Sequence, residues 1–123
     1  MKDEFPERNY IFENGDIEKW SSREKIFLLN CALTVEKSTP SSHIGIWTEF
    51  TDDVIRFVAE KNSKCIYLLL GNYAKGKAHL IKNKQNIITG THPSPLSAYN
   101  GFFGSGIFKR IEEKLGKEIN WNI

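Results

Sequence analysis

Apolar residues fall along this chain in two rhythms, and the switch between them is the first structural signal. Ile26-Phe27-Leu28-Leu29 is a continuous apolar run, the pattern of a strand covered on both faces. Ahead of it, Asp16 is placed to cap a short helix through about Glu24. A polar stretch from Glu36 to Ser42, containing Pro40, reads as loop. The period then becomes helical. Phe50, Val54, Phe57 and Val58 share one face, Thr48 stands at the capping position, and Asp52 and Asp53 occupy the first turn, where the helix dipole favours negative charge. Cys65-Ile66-Tyr67-Leu68-Leu69-Leu70 is the clearest strand and is closed by Gly71. A short helix is predicted from about Tyr73, and a third strand over Asn86-Ile87-Ile88-Thr89. A loop punctuated by Pro and Gly runs from His92 to Gly104. The last helix sets Ile107, Phe108, Ile111 and Leu115 on one face and stops at Gly116, a residue suited to the left-handed terminal position.

Strands separated by helices predict an α/β fold: a parallel sheet with helices on both faces, three layers in all. No repeat, low-complexity tract or long linker divides the chain, so residues 1–123 read as a single domain. In such sheets functional loops gather at the carboxyl ends of the strands. That rule puts Asn30, Gly71 and His92 on one rim.

Composition narrows the class. Hydrophobic residues make up 40% and charged residues 26%, which is too apolar for a disordered chain. The longest apolar run is six residues and the first dozen are charged, which predicts neither a membrane span nor a secretory signal and hence an intracellular protein. Cys31 and Cys65 read as buried free thiols rather than a disulfide or zinc pair. Charge is divided unevenly. Residues 1–60 hold seven Lys/Arg against twelve Asp/Glu, a net −5, and residues 61–123 hold ten against three, a net +7. A basic second half suits an anionic partner, although Lys75, Lys77, Lys82 and Lys84 also suit a merely solvated face.

The segment His92-Pro93-Ser94-Pro95-Leu96-Ser97, running on to Gly101-Phe102-Phe103-Gly104, is physically odd. Two prolines stiffen the backbone, two serines offer hydroxyls, and a leucine stands where water should discourage it. One reading is a surface turn whose leucine folds back on the core. The other is a wedge that enters a nucleic-acid stack while hydroxyls and backbone N–H groups hold phosphates.

The run HPSPLSAYNGFFG resembles the DNA-intercalating leucine loop of the uracil-DNA glycosylases. LLNCALTV at Leu28–Val35 is similar to that family's uracil-reading strand, SSH and WTEFTDDVI to its next segment and helix, LLLGNYAK at Leu68–Lys75 to its third strand and turn, and INW to its ending. The resemblance covers about Asp16 to Trp121 and is to the C-terminal part of the family. It implies an enzyme that hydrolyses the N-glycosidic bond of deoxyuridine in DNA, starting base-excision repair, without metal or organic cofactor. It further implies a monomer that works on uracil-containing DNA in the cytoplasm of a bacterium, or in the nucleus or mitochondrion of a eukaryote. By the same resemblance, Asn30 reads the uracil edge, His92 donates a hydrogen bond to the uracil oxygen that gains charge, and Leu96 fills the gap left by the extruded nucleotide. Ser94 and Ser97 grip phosphates, with Pro93, Pro95, Gly71 and Asn72 shaping the DNA contact.

Two departures matter. The family's water-activating Gly-Gln-Asp-Pro-Tyr-His stretch has no counterpart in the 123 residues, and Leu70 and Asn72 replace a usual tryptophan and phosphate-gripping serine. The resemblance therefore implies a sheet lacking its first, interior strand, with the run at Ile26 short of a neighbour and apolar edges exposed. Three functions stay open on the sequence: a glycosylase segment, a non-catalytic DNA-binding module that keeps the wedge, and a plain α/β interaction domain. The first is favoured by the resemblance.

Overall fold

The computed structural model describes residues 4–8, 16–30, 32–34, 36–40, 42–94, 99, 101–102 and 104–122. In chain order the elements are α1 (Glu18–Glu24), α2 (Ile44–Lys61), β1 (Tyr67–Leu70), α3 (Gly71–Lys75), two short 3-10 turns, β2 (Ile87–Gly90) and α4 (Ile107–Leu115). β1 and β2 pair in parallel, Tyr67 opposite Ile87 through Leu70 opposite Gly90, so both strands deliver their carboxyl ends to one rim. This is the α/β arrangement the alternation predicts, carried by a two-stranded sheet among the described residues.

α4 is held against the sheet by close approach. Ile107 is fully buried, and a Cβ built on Gly90 would lie 2.3 Å from its Cδ1, so only glycine lets the helix sit this near the end of β2. α4 ends as expected, with Gly116 at φ +71°. On its other side a second core gathers Phe5, Ile119 and Trp121, with Trp20, Ile26, Phe108 and Ile111 packed around them. Trp121 meets Trp20 and Phe108 edge to face at 5.6 and 5.1 Å.

At the base of that core Glu112 is buried, and a single oxygen, Oε1, accepts from Arg8 Nη1 at 2.8 Å, Ile119 N at 3.0 Å and Trp121 Nε1 at 2.9 Å. Burial alone would raise this carboxyl. The three hydrogen bonds and the Arg8 charge outweigh it and hold Glu112 below the usual carboxylate value.

Four expectations are corrected. Ile26-Phe27-Leu28-Leu29 forms no ladder, and Phe27 and Leu28 are exposed, because a run apolar on both faces needs cover that the described residues do not supply. α2 begins at Ile44, not after Thr48; Thr48 lies inside it and turns its hydroxyl back to the Ile44 carbonyl at 2.7 Å. Its face is also differently used: Phe50 and Phe57 are exposed, while Thr51 is buried and bonded to the Trp47 carbonyl. Asp16 does not occupy the capping position of α1, which is Ile17 without a side-chain cap bond; its Oδ1 instead accepts from the Glu18 N–H two residues on at 3.1 Å, an Asx-type contact. Cys65 is a half-buried free thiol, and Cys31 lies outside the described residues.

Candidate functional site

The rim at the carboxyl ends of β1 and β2 is where the structure concentrates unusual local geometry. Gly71 leaves β1 at φ +86°, a conformation that disfavours any side chain. A Cβ placed there would stand 3.2 Å from the Cβ of His92, which follows β2 by two residues. The missing side chain at Gly71 thus makes the seat on which the imidazole rests. From the other side the Ser94 backbone N–H donates to His92 Nδ1 at 3.0 Å. An amide N–H can only donate, so in this arrangement Nδ1 is the acceptor and the ring proton sits on Nε2, a hydrogen-bond donor.

The loop beyond His92 is anchored where it returns. Gly101, at φ +129°, lies so close to Thr91 that a Cβ would come within 2.8 Å of Thr91 Oγ1. Phe102 then packs edge to face on Phe108 of α4 at 6.2 Å. A glycine followed at once by an aromatic in the GFFG run is the trace this anchor leaves in the sequence.

Gly71 and His92 are brought together, and Asn72 stands exposed on the first turn of α3 beside them. Pro93 is exposed and Ser94 half-buried at the start of the loop. Pro95, Leu96 and Ser97, which carry the wedge reading, lie outside the described residues. Asn30 is exposed at the end of the unpaired 26–29 run, and no hydrogen bond among the described residues ties it to the rim.

Two polar clusters have no signature in the sequence. Lys77 Nζ pairs with Asp52 Oδ1 at 2.8 Å, both side chains being largely buried, and lies 5.0 Å above the Tyr73 ring. Asp52 holds the Lys77 ammonium above its ordinary value, against the opposing effect of burial. Lys77 is therefore committed to joining the turn after α3 to α2, while Lys75 and Lys82 stay exposed. The second cluster stitches the segment after Asn30 to α2: Trp47 Nε1 donates to Thr34 Oγ1 at 2.7 Å, and that hydroxyl meets His43 Nδ1 at 2.9 Å. Aspartate and lysine 25 residues apart, or threonine and tryptophan 13 apart, leave no periodic trace, so only the folded chain reveals them.

Residues 9–116 match the family model described as the uracil DNA glycosylase superfamily. A Fusobacterium nucleatum protein named uracil-DNA glycosylase is 48% identical over 120 residues, covering 93% of this chain and 53% of the relative. Proteins of the same name from Streptococcus gordonii and Borrelia hermsii are 45% and 46% identical, covering 90% and 87% of this chain and 54% and 48% of theirs. The chain spans about half the length of the curated relatives it matches.

Proposed function

The chain belongs to the uracil-DNA glycosylase superfamily, and from that membership we propose that it supplies the base-reading and DNA-gripping part of an enzyme that hydrolyses the N-glycosidic bond of deoxyuridine in DNA. The observation that carries the reading is the seating of His92 on Gly71, with Nδ1 accepting from Ser94 and Nε2 as the donor. A donor fixed before the reaction suits an oxygen that becomes negative only as the bond to the sugar breaks, since no reorganisation is then needed at the moment of charge development.

In this proposal the Asn30 amide pairs with the uracil edge as both donor and acceptor, a pattern that cytosine does not match. Leu96 occupies the space vacated by the flipped nucleotide, Ser94 and Ser97 hold flanking phosphates, and Pro93 and Pro95 stiffen the loop that presents them. Gly71 and Asn72 form the neighbouring wall. Water activation falls to groups other than these. Residues 1–123 act within one domain, as a monomer, in the compartment that holds the DNA.

The alternative, a DNA-binding module without hydrolysis, is not favoured by the relatives, which are named uracil-DNA glycosylase. Uracil release and DNA affinity, measured on the purified chain with a duplex carrying one deoxyuridine, separate the two. Turnover supports the enzyme; salt-sensitive binding without release supports the module. Neither binding nor release would remove the DNA assignment from the isolated chain.

A further inference from the structure

Although no hydrogen bond among the described residues ties Asn30 to the His92 rim, α2 grips the segments that carry both. On one side, the Trp47 indole donates to Thr34 Oγ1 at 2.7 Å, and His43 Nδ1 meets the same hydroxyl at 2.9 Å. An indole N–H can only donate, so the Thr34 oxygen accepts it and the hydroxyl proton is directed to His43 Nδ1. The imidazole then keeps its own proton on Nε2, which faces Glu36 Oε1 at 3.9 Å. Asn30 lies midway between this clasp and the bond that opens its segment, from the Ile26 N–H to the Trp20 carbonyl at 3.3 Å. With no ladder along 26–29, these are the polar fixings of that segment among the described residues.

On the other side, α2 holds α3 twice. The Tyr73 hydroxyl is 3.3 Å from Thr48 Oγ1, and just beyond α3 Lys77 Nζ reaches Asp52 Oδ1 at 2.8 Å while lying over the Tyr73 ring. α3 begins at Gly71, whose missing side chain seats His92. Thr48 and Asp52, four residues apart, share one line along α2. Trp47 stands about 100° round the axis from Thr48, and the buried Thr51 falls between them. The two grips thus flank the inward face of one rod, with Trp47 and Asp52 about 7.5 Å apart along it.

We propose that Thr34, Trp47, Asp52 and Lys77 are positioning residues: through α2, acting as a strut, they fix the separation between the Asn30 amide that reads the base and the His92 donor that meets the developing charge. This role presupposes the parts given to Asn30 and His92 above. A largely buried ion pair such as Lys77–Asp52 adds little stability over apolar side chains of the same volume, but its charges are satisfied in few geometries. Placement is what the chemistry needs, since a shift of about 1 Å in a reacting group costs on the order of 100-fold in rate.

The test combines Thr34→Val with the paired replacement Asp52→Leu/Lys77→Met, which removes both charges together and leaves neither buried alone. Residual dipolar couplings measured by NMR on the full 123-residue chain report the orientation of each arm against α2. Thr34→Val should average the couplings of residues 28–34, the paired replacement those of residues 70–77, and both should leave the couplings of α2 itself in place. Single-turnover uracil release is then measured on the chain fused to the unmatched half of the Fusobacterium nucleatum relative. The rate should fall about tenfold in either variant with the duplex Kd within about twofold, and Thr34→Ser, which keeps the hydroxyl, should recover the parent rate. Because one separation can be lost only once, the combined variant should also fall about tenfold and not about 100-fold. Unchanged couplings in either arm, a multiplicative loss, or a loss confined to duplex affinity overturns the proposal. Should the paired replacement fail to fold, Tyr73→Phe, which removes only the contact with Thr48, takes its place with the same readings expected on a smaller scale. A parent fusion that releases no uracil strikes the glycosylase reading, and the couplings still decide whether α2 is the strut.

Discussion

Replacing Gly71 with alanine attacks the rim at one atom, and its cost can be worked from two separable terms. The first is conformational: at φ +86° an L-residue costs about 1 kcal/mol more than glycine. The second is crowding, since the new methyl would stand 3.2 Å from the His92 Cβ and a backbone-attached carbon must move by a few tenths of an ångström. Overpacking of this kind adds about 1 kcal/mol, so the total is about 2 kcal/mol. Gly116→Ala supplies the control. Its φ is +71° and a Cβ added there meets nothing within 4 Å, so it should show the first term alone, about 1 kcal/mol. Urea denaturation measures both differences, and the His92 ring signals in an NMR spectrum report displacement directly. Equal losses for the two variants, with the His92 signals unmoved by Gly71→Ala, would refute the seating of the imidazole on Gly71.

Other perturbations follow from the same geometry. Gly90→Ala places a methyl 2.3 Å from the buried Ile107 Cδ1 without any unfavourable φ, and should cost about 2–3 kcal/mol by forcing α4 from the sheet, read as a lower urea midpoint. Gly45→Ala, inside α2 with open space around it, should instead stabilise by about 0.5–1 kcal/mol in the same assay. Glu112→Gln leaves Arg8 without its closer carboxylate partner, keeps an oxygen for Ile119 and Trp121, and should cost about 2–3 kcal/mol. Because the folded state depresses the Glu112 carboxyl, its contribution is complete above the unfolded value of about 4.3 and is lost as pH falls through the lower folded value. Melting temperature measured against pH should therefore fall more steeply below about pH 4.3 in the parent than in Glu112→Gln.

Much of the architecture was legible because it rests on local pattern. β1, β2, α4 and the glycine stop at Gly116 follow from apolar runs, helical spacing and left-handed backbone, all of which are properties of neighbouring residues. The rim was legible one step further, since parallel pairing of two strands necessarily brings Gly71 and His92 to the same end. Ile26-Phe27-Leu28-Leu29 failed for a physical reason: an apolar run states only that cover is needed, and the strand exists only where a neighbour provides it. The start of α2 was misplaced because Thr48 carries the chemistry of a cap but uses its hydroxyl within the helix. Glu112 escaped notice altogether. Its role depends on Arg8, 104 residues away, and on Trp121 beyond the end of α4, so no local pattern marks it.

The most direct measurement is the single-turnover rate of uracil release from a deoxyuridine duplex by the fusion of this chain with the unmatched half of the Fusobacterium nucleatum relative, compared with its Asn30→Ala and His92→Ala variants. Release by the parent fusion and a loss of about 100-fold or more in each folded variant is the predicted result. Release that survives both substitutions undiminished, or a well-folded fusion that binds the duplex and leaves uracil in place, would contradict it.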